Sequence, residues 1–398
     1  MTDKLSVDAA LSCIFSELAP VSPMRVPDDA NAAGCATADT VRAVSDTPRF
    51  DCAAMDGYAL NTADANDASA TSNVRLDLAS DIAAQNIPPL LALHHAAPIS
   101  TGAAIPAGAD TILVRERARI LNGQLVLSEP VACGLNIRRR GEDIARGDII
   151  VPGGQWITPD AVGALLACGV THIRVRPPPR IWLIPTGSEF HPPNAAGPDL
   201  RYDSNGPMIA AACRALGLKC NLLPPVPDDP AALRDCIAGN ALAEDQIVIT
   251  IGGASGGRYD LVREVIETMR AEILFKGVAM RPGKPVIFAR LADGRPFFGL
   301  PGNPVAAFVG FRFFVMTAIR RLMGLAVESG QTVVAPVPGR SGITLFLRGY
   351  SAPGEDFAIA EDQRSHVMRS VIEANCWIRV DGGEEPRARL FPKGANLA

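Results

Sequence analysis

An apolar run that empties directly into a glycine-rich loop commits a chain to an open α/β sheet at that point. Here the run is Ile247-Val248-Ile249-Thr250-Ile251, the loop is Gly252-Gly253-Ala254-Ser255-Gly256-Gly257, and Asp260 follows. A short bounded apolar run reads as a strand buried on both faces. Ligands of such sheets bind beyond the carboxyl ends of the strands. Glycine lets the backbone come close to a ligand, and successive N–H groups can face an anion. Further on stand Lys276, Arg281-Pro282-Gly283-Lys284-Pro285 and Gly299-Leu300-Pro301-Gly302-Asn303-Pro304. The whole chain has five lysines, at 4, 219, 276, 284 and 393, and two of them sit beside glycine in this segment. In a chain that otherwise uses arginine, a compact ammonium there points to a phosphate or another oxyanion. The segment is not a P-loop, because one residue too many separates Gly277 from Gly283 and Pro285 stands in place of the hydroxyl residue. No GxGxxG follows a strand. Plain structural turns are the competing explanation, since Pro and Gly punctuate any loop. On the residues alone the two explanations stand about even.

The chain has 398 residues, 48% of them hydrophobic, which allows several domains and a large core. A net charge of −4 gives no electrostatic case for nucleic acid or for an anionic membrane surface. The one basic cluster, Arg138-Arg139-Arg140, is followed by Glu142 and Asp143. Residues 1–10 lack the basic and apolar regions of a signal peptide, and no apolar run is long enough to span a bilayer. Nine dispersed cysteines without a CxxC pair predict reduced thiols and a cytoplasmic setting. His94 and His95 are neighbours, would point to opposite faces of a strand, and are expected at the surface.

Along the chain, residues 5–19 have apolar positions at helical spacing, with Ser6 as a cap and Pro20 after the end. The Ala-rich segment 30–44 predicts a second helix. Residues 49–145 carry short apolar runs between turns, which predicts a β-rich module. A strand over 148–152 and a helix over 160–168 follow, with Gly169 as a stop. The stiff Pro177-Pro178-Pro179 marks a boundary. Strands and helices then alternate: strands at 181–185, 218–223, 246–251, near 275 and at 286–289, and helices at 206–216, 230–238, 260–270 and 304–322. This is the rhythm of a doubly wound sheet. Beyond 333 the texture is β again. The predicted class is therefore multidomain α/β. Its parts are a discontinuous elongated helical domain (1–46 with 146–177), an inserted β-rich module (47–145), an α/β domain (178–326) and a C-terminal β domain (327–398).

The motifs, in order, resemble the bacterial molybdopterin molybdenumtransferases, the MoeA-like group related to the C-terminal domain of gephyrin. They are Ala54-Met55-Asp56-Gly57-Tyr58-Ala59, Ser100-Thr101-Gly102 with Ile105-Pro106, and Arg139-Arg140-Gly141-Glu142-Asp143-Ile144. Thr186-Gly187-Ser188-Glu189, Tyr202-Asp203-Ser204-Asn205, Asp228-Asp229-Pro230 and the segments of 252–304 continue the series. Arg348 and Gln363 to His366 resemble the C-terminal signature, so the likeness spans nearly the full chain.

The resemblance implies an enzyme that hydrolyses the pyrophosphate link of adenylated molybdopterin, releases AMP and inserts molybdate, with magnesium assisting. It implies a homodimer in which the helical domain mediates pairing. It further implies transient contacts with a molybdopterin adenylyltransferase and with apo-molybdoenzymes. Carried over residue by residue, the catalytic set is Asp56, Glu189, Asp228, Asp260 and Lys284, with Glu189, Asp228 and Asp260 holding the cation. Thr101, Asp143, Ser255, Lys276, Arg281, Pro301, Pro304, Arg348 and Ser365 would bind substrate. The residues are compatible with this. Pyrophosphate cleavage needs a hard cation and carboxylates to hold it, and Glu189, Asp228 and Asp260 all follow expected strand ends. The ordinary alternative for each carboxylate is a helix cap or a solvated turn, and Asp228 beside Asp229-Pro230 is cap-like. Three departures stand out: Ser188 where the family has Asp, Arg281 for a common lysine, and Gly257-Arg258-Tyr259 before Asp260. Two other functions fit the same features, adenylyl transfer to molybdopterin and a non-catalytic molybdopterin carrier.

Overall fold

A computed structural model describes residues 4–27, 32–84, 88–191, 201–239, 246–253, 261–352, 357–382 and 387–394. Its centre is a six-stranded sheet in the order Cys220–Leu222, Arg180–Pro185, Gln246–Ile251, Pro296–Leu300, Ile287–Arg290, Glu272–Lys276. The first four strands are parallel. Ile287–Arg290 runs antiparallel to both of its neighbours, so the sheet is mixed rather than fully doubly wound.

Alternation along the strands explains the two-sided burial. Ile181, Leu183, Ile247, Ile249 and Ile251 join one core, while Trp182, Ile184 and Val248 join the other. Successive side chains on a strand point to opposite faces. The helix Asn205–Ala215 and the helical rod 304–322 cover the first face, and Pro230–Ala238 and Leu261–Thr268 cover the second. The rod is expected as one helix. It runs as Pro304–Val309, a π-helical stretch Gly310–Val315, and Met316–Leu322. A Cβ on Gly310 would lie 2.8 Å from Leu300 Cδ2, so the absence of a side chain lets the rod press onto the sheet. Strand Pro296–Leu300 is not among the predicted elements.

The first helix, Val7–Glu17, is capped by Ser6, whose Oγ accepts the Ala9 N–H at 3.2 Å. It packs its buried Val7, Ala10 and Ile14 into the α/β core beside Ile319 and Leu322. It thus lies with the sheet, although its sequence position groups it with the discontinuous domain. That domain has a small core of its own around Val26, Val151, Ile157, Leu165 and Val175. It holds strands Met24–Pro27, His172–Arg176 and Ala36–Thr37, the pair Val41–Arg42 with Ile149–Val151, and one helix, Pro159–Ala167.

The helix expected over 30–44 is absent from the described part of that segment. Gly34 takes φ +81°, and strands at 36–37 and 41–42 occupy the backbone groups. Thr37 Oγ donates to the Pro152 carbonyl at 2.7 Å. Alanine's helix propensity, a few tenths of a kcal/mol per residue, yields to such tertiary pairing.

The inserted module is a six-stranded sheet in the order Thr111–Val114, Gly57–Leu60, His95–Ile99, Val74–Leu78, Gln124–Leu127, Arg119–Leu121. The C-terminal sheet joins Thr344–Tyr350, Cys376–Asp381, Arg387–Pro392 and Gln331–Val333, and takes Met280–Arg281 from the α/β unit as a parallel edge. All nine cysteines are free thiols. Among the described residues no helix is long and apolar enough to cross a membrane.

Candidate active site

The parallel strands Arg180–Pro185, Cys220–Leu222, Gln246–Ile251 and Pro296–Leu300 all deliver their carboxyl ends to one edge of the sheet. The loops leaving that edge build two adjoining cavities that share Glu189 and Gly302.

The smaller cavity, about 270 Å³, is walled by Thr186, Glu189, Asp203, Asn205, Asp228, Gly252 and Gly253 among others. Gly252 takes φ +96°, and a Cβ there would stand 2.7 Å from the Thr186 carbonyl, so the two loops touch only because this residue has no side chain. Asp228 and Ser188 hold each other. The Ser188 N–H donates to Asp228 Oδ2 at 3.2 Å, and the Asp228 N–H donates to Ser188 Oγ at 2.8 Å. The cap role falls to the neighbour, Asp229, which accepts from the Ala231 and Ala232 N–H groups. Asp228 is therefore a loop carboxylate facing the cavity.

Asp203, not among the predicted site residues, lines the same cavity. Its Oδ1 accepts the N–H groups of Asn205 and Gly206, each at 3.0 Å. Burial outweighs those bonds and raises its pKa above the ordinary carboxylate value. Asn205 is buried and donates to the Gly302 carbonyl at 2.7 Å, while its Oδ1 has no partner among the described residues. Such an orphan acceptor on a cavity wall suits a ligand N–H or a water. Its signal in sequence is only the Tyr202-Asp203-Ser204-Asn205 motif.

The larger cavity, about 720 Å³, lies between the sheet edge and the C-terminal domain, with walls that include Glu189, Arg201, Arg281, Lys284, Pro301, Arg340, Gln363 and Ser365. Arg281 ends the edge strand Met280–Arg281, Lys284 stands in the turn after it, and both are exposed. Lys276 ends its own strand, also exposed. Pro304 opens the rod with Asn303 as its cap position. Part of this helix end is already occupied by Ser365, whose carbonyl accepts the Val305 N–H at 3.2 Å. Asn303 Nδ2 also donates to Ser365 Oγ at 3.3 Å.

Arg348, expected to bind substrate, does not line the cavity and is fully buried. It donates to the Asp362 carbonyl at 2.8 Å, and its own N–H and carbonyl are bonded by the Gln363 side chain. Burial lowers its guanidinium pKa from the ordinary value. Arg348 therefore carries the loop that brings Gln363 and Ser365 to the crevice.

In the inserted module, Asp56 Oδ1 accepts both the Thr101 N–H and the Thr101 hydroxyl, each at 2.8 Å. These bonds, with Arg115 nearby, hold its pKa below the ordinary carboxylate value. Neither residue lines the two cavities, and neither does Asp143, whose N–H donates to the Thr47 carbonyl at 3.2 Å. Asp260 and Ser255 lie outside the described residues. Among the described residues no group of three or more His, Cys, Asp and Glu side chains is placed to hold a metal ion. Glu189 and Asp228 supply hard oxygen donors of the kind magnesium takes.

Residues 5–169 match the family described as the MoeA N-terminal region (domain I and II), and residues 182–321 match a probable molybdopterin binding domain. A molybdopterin molybdenumtransferase of Staphylococcus aureus (strain MRSA252) is 32% identical over 356 residues, covering 87% of this chain and 84% of that protein. The chain belongs to the MoeA family. Its members include the molybdopterin molybdenumtransferase of Staphylococcus epidermidis (strain ATCC 12228), 32% identical over 393 residues, with 95% of this chain and 92% of that protein covered. A MoeA structure from Pyrococcus horikoshii superposes with a TM-score of 0.73 at 28% identity, over 98% of this chain and 99% of that one. The multidomain α/β architecture is thus the MoeA fold. The chain is an enzyme of this family, with a role in molybdenum cofactor biosynthesis.

Proposed function

We propose that this MoeA-family enzyme takes adenylated molybdopterin, hydrolyses its pyrophosphate with magnesium assisting, releases AMP and inserts molybdate. The observation that carries this is the meeting of opposite charges across one crevice. Glu189 and Asp228 stand on loops at the sheet edge, and Arg281, at the end of its edge strand, and Lys284, in the turn after it, stand across from them. Carboxylates can hold a hard cation while basic residues hold the oxyanion. Asp228 and Glu189, with Asp260, would hold magnesium, which when bound supplies charge compensation to the leaving phosphate. Lys284 and Arg281 would fix the terminal phosphate or molybdate, and Asn205 would accept a donor of the bound ligand. The relatives' name, molybdopterin molybdenumtransferase, supports the same assignment.

The active unit in this proposal is a homodimer. Met24, Val44, Ile149 and Leu166 of the discontinuous domain and Phe50 and Met55 beside it are exposed apolar side chains that a second copy would cover. Each site would then combine Asp56 and Thr101 of one chain with the crevice of the other, in a cytoplasmic protein serving apo-molybdoenzymes.

Incubation with adenylated molybdopterin, magnesium and molybdate tests the assignment. AMP release supports it. ATP-dependent attachment of AMP identifies an adenylyltransferase, and binding without turnover identifies a carrier.

A further inference from the structure

The seam between the first helix, the rod and the C-terminal sheet holds a cavity of about 460 Å³. It shares no lining residue with the two cavities of the crevice. A volume of this size suits a metabolite-sized ligand. Its wall is of two kinds. The reachable apolar part is Leu11 and Phe15 of Val7–Glu17 and the exposed Val327, with Phe313, Met316 and Phe391 buried behind them. Around this part stand five arginines, 312, 320, 321, 379 and 389, against two carboxylates, Asp8 and Glu328.

Both carboxylates are already engaged. Glu328 accepts from two nitrogens of Arg312, at 2.6 and 2.8 Å. Asp8 accepts from Arg379 at 2.5 Å, and Asp381 bonds the same guanidinium at 2.8 Å. No wall carboxylate remains for Arg321 or Arg389. Arg321 donates its Nε to the Leu18 carbonyl at 2.8 Å and lies over the Phe15 ring, 4.5 Å from its centre. Arg389 is half-buried, and its side chain makes no hydrogen bond or ion pair with a described residue. A guanidinium held away from water without a counter-charge is unfavourable until an anion answers it. Its planar fork fits a carboxylate or a phosphate through two parallel bonds. The π-helical stretch Gly310–Val315 contributes Arg312 and Phe313 to the same wall. Such stretches are frequent at functional sites. Arg312 Nε is itself buried with no partner among the described residues.

We propose that this cavity is a second ligand site, separate from the crevice, for a small organic anion. A carboxylate or phosphate head would meet Arg389 and Arg321, and an apolar body would lie against Leu11, Phe15 and Val327. The site stands independently of the reaction assigned to the crevice. The sequence alone does not suggest it, because its walls come from positions 8–16, 312–328 and 379–391.

The test is a fluorescence titration of the full chain with anilinonaphthalene sulfonate, an anion on an aromatic body, and with phenylnaphthylamine, its uncharged twin. Arg389→Gln removes the partner of the head. Ser12→Asp places a negative charge at an exposed position on the cavity wall. Arg281→Gln is the control in the crevice, and the thermal midpoint checks the fold of each variant. The sulfonate should bind roughly tenfold more tightly than its twin. Arg389→Gln and Ser12→Asp should each weaken it by roughly tenfold, and Arg281→Gln should leave it unchanged. Displacement of the sulfonate by AMP alone gives the site a phosphate head, displacement by indole acetate alone a carboxylate head, and displacement by both a head of either kind. Equal binding of the twin, or wild-type affinity in either cavity variant, overturns the proposal. So does a loss in Arg281→Gln, which places the probe in the crevice, and so does displacement by neither competitor. Should Arg389→Gln lower the thermal midpoint, Ser12→Asp decides the matter alone.

Discussion

At Asp203, burial pulls the carboxyl towards its neutral form and two backbone N–H bonds pull it towards the charged one, and burial prevails. An acid whose folded pKa is raised ionises first in the unfolded chain. Its contribution to stability is therefore fullest below the unfolded value, about 3.9, and declines as pH rises towards the folded one. Asp203→Asn keeps an oxygen for the Asn205 and Gly206 N–H groups and removes the charge. It should raise the thermal midpoint at neutral pH and leave it unchanged under strongly acid conditions, as calorimetry across pH would record. Asp56 has the opposite sign. Its folded pKa is depressed by Thr101 first and Arg115 last, so its contribution is present above about pH 3.9 and is lost as pH falls through the folded value. Thr101→Ala removes the hydroxyl bond but keeps the N–H bond. A carboxyl titration followed by NMR should then show Asp56 moving only part of the way back to about 3.9. Ser188 offers a third test. Ser188→Ala deletes the acceptor of the Asp228 N–H at an exposed site, so stability should fall by no more than about 1 kcal/mol. AMP release should fall further if the pair positions Asp228. The sequence pointed to Asp228 and Glu189 by their place after strands. Asp203 escaped notice because an Asp bonding the N–H groups two and three residues on reads as a turn, and its burial depends on loops far away in the chain. Arg348 shows a related limit, since a motif names a residue without saying whether its side chain faces the cavity or the core.

The strand Gln246–Ile251 and the helix Pro230–Ala238 were legible to the residue, because an unbroken apolar run and an Asp-Pro start are local signals. Pro296–Leu300 was not. Gly299 lies inside that strand, against Ile287 of the neighbouring one, while in sequence it reads as part of the following loop. The π-helical stretch Gly310–Val315 also has no local signature. It coincides with Arg312, which is 1% exposed, pairs with Glu328 at 2.6 and 2.8 Å through two nitrogens, and lies 5.0 Å from the Phe313 ring centre. Removing one partner strands the other charge in the core. Glu328→Gln should therefore cost about 3 kcal/mol, the low end for a buried pair, because Glu328 keeps some contact with water. Arg312→Met combined with Glu328→Leu should recover much of that loss in thermal unfolding, as apolar replacements of buried pairs do.

The molecule as a whole is a set of sheets laced together by segments that leave one unit and return to another. If two copies share each site, mixing Asp56→Ala protein with Asp228→Ala protein should restore AMP release. One crevice in each heterodimer would keep all of its native residues. Subunit exchange confirmed by mass spectrometry, with no activity returning, would place both residues in one chain's site or make one of them structural. The lacing has a further consequence, for synthesis. Val7–Glu17 is synthesised some 300 residues before Met316–Leu322, which covers its apolar face, and Asp8 meets Arg379 later still. At about 5–20 residues per second the helix waits on the order of 15 to 60 s for its partner. Alone it is too short to hold its shape in water. Residues 7–17 must therefore spend that interval unfolded with their apolar face unburied, in the keeping of whatever chaperones attend the ribosome, until the rod that covers them has been made.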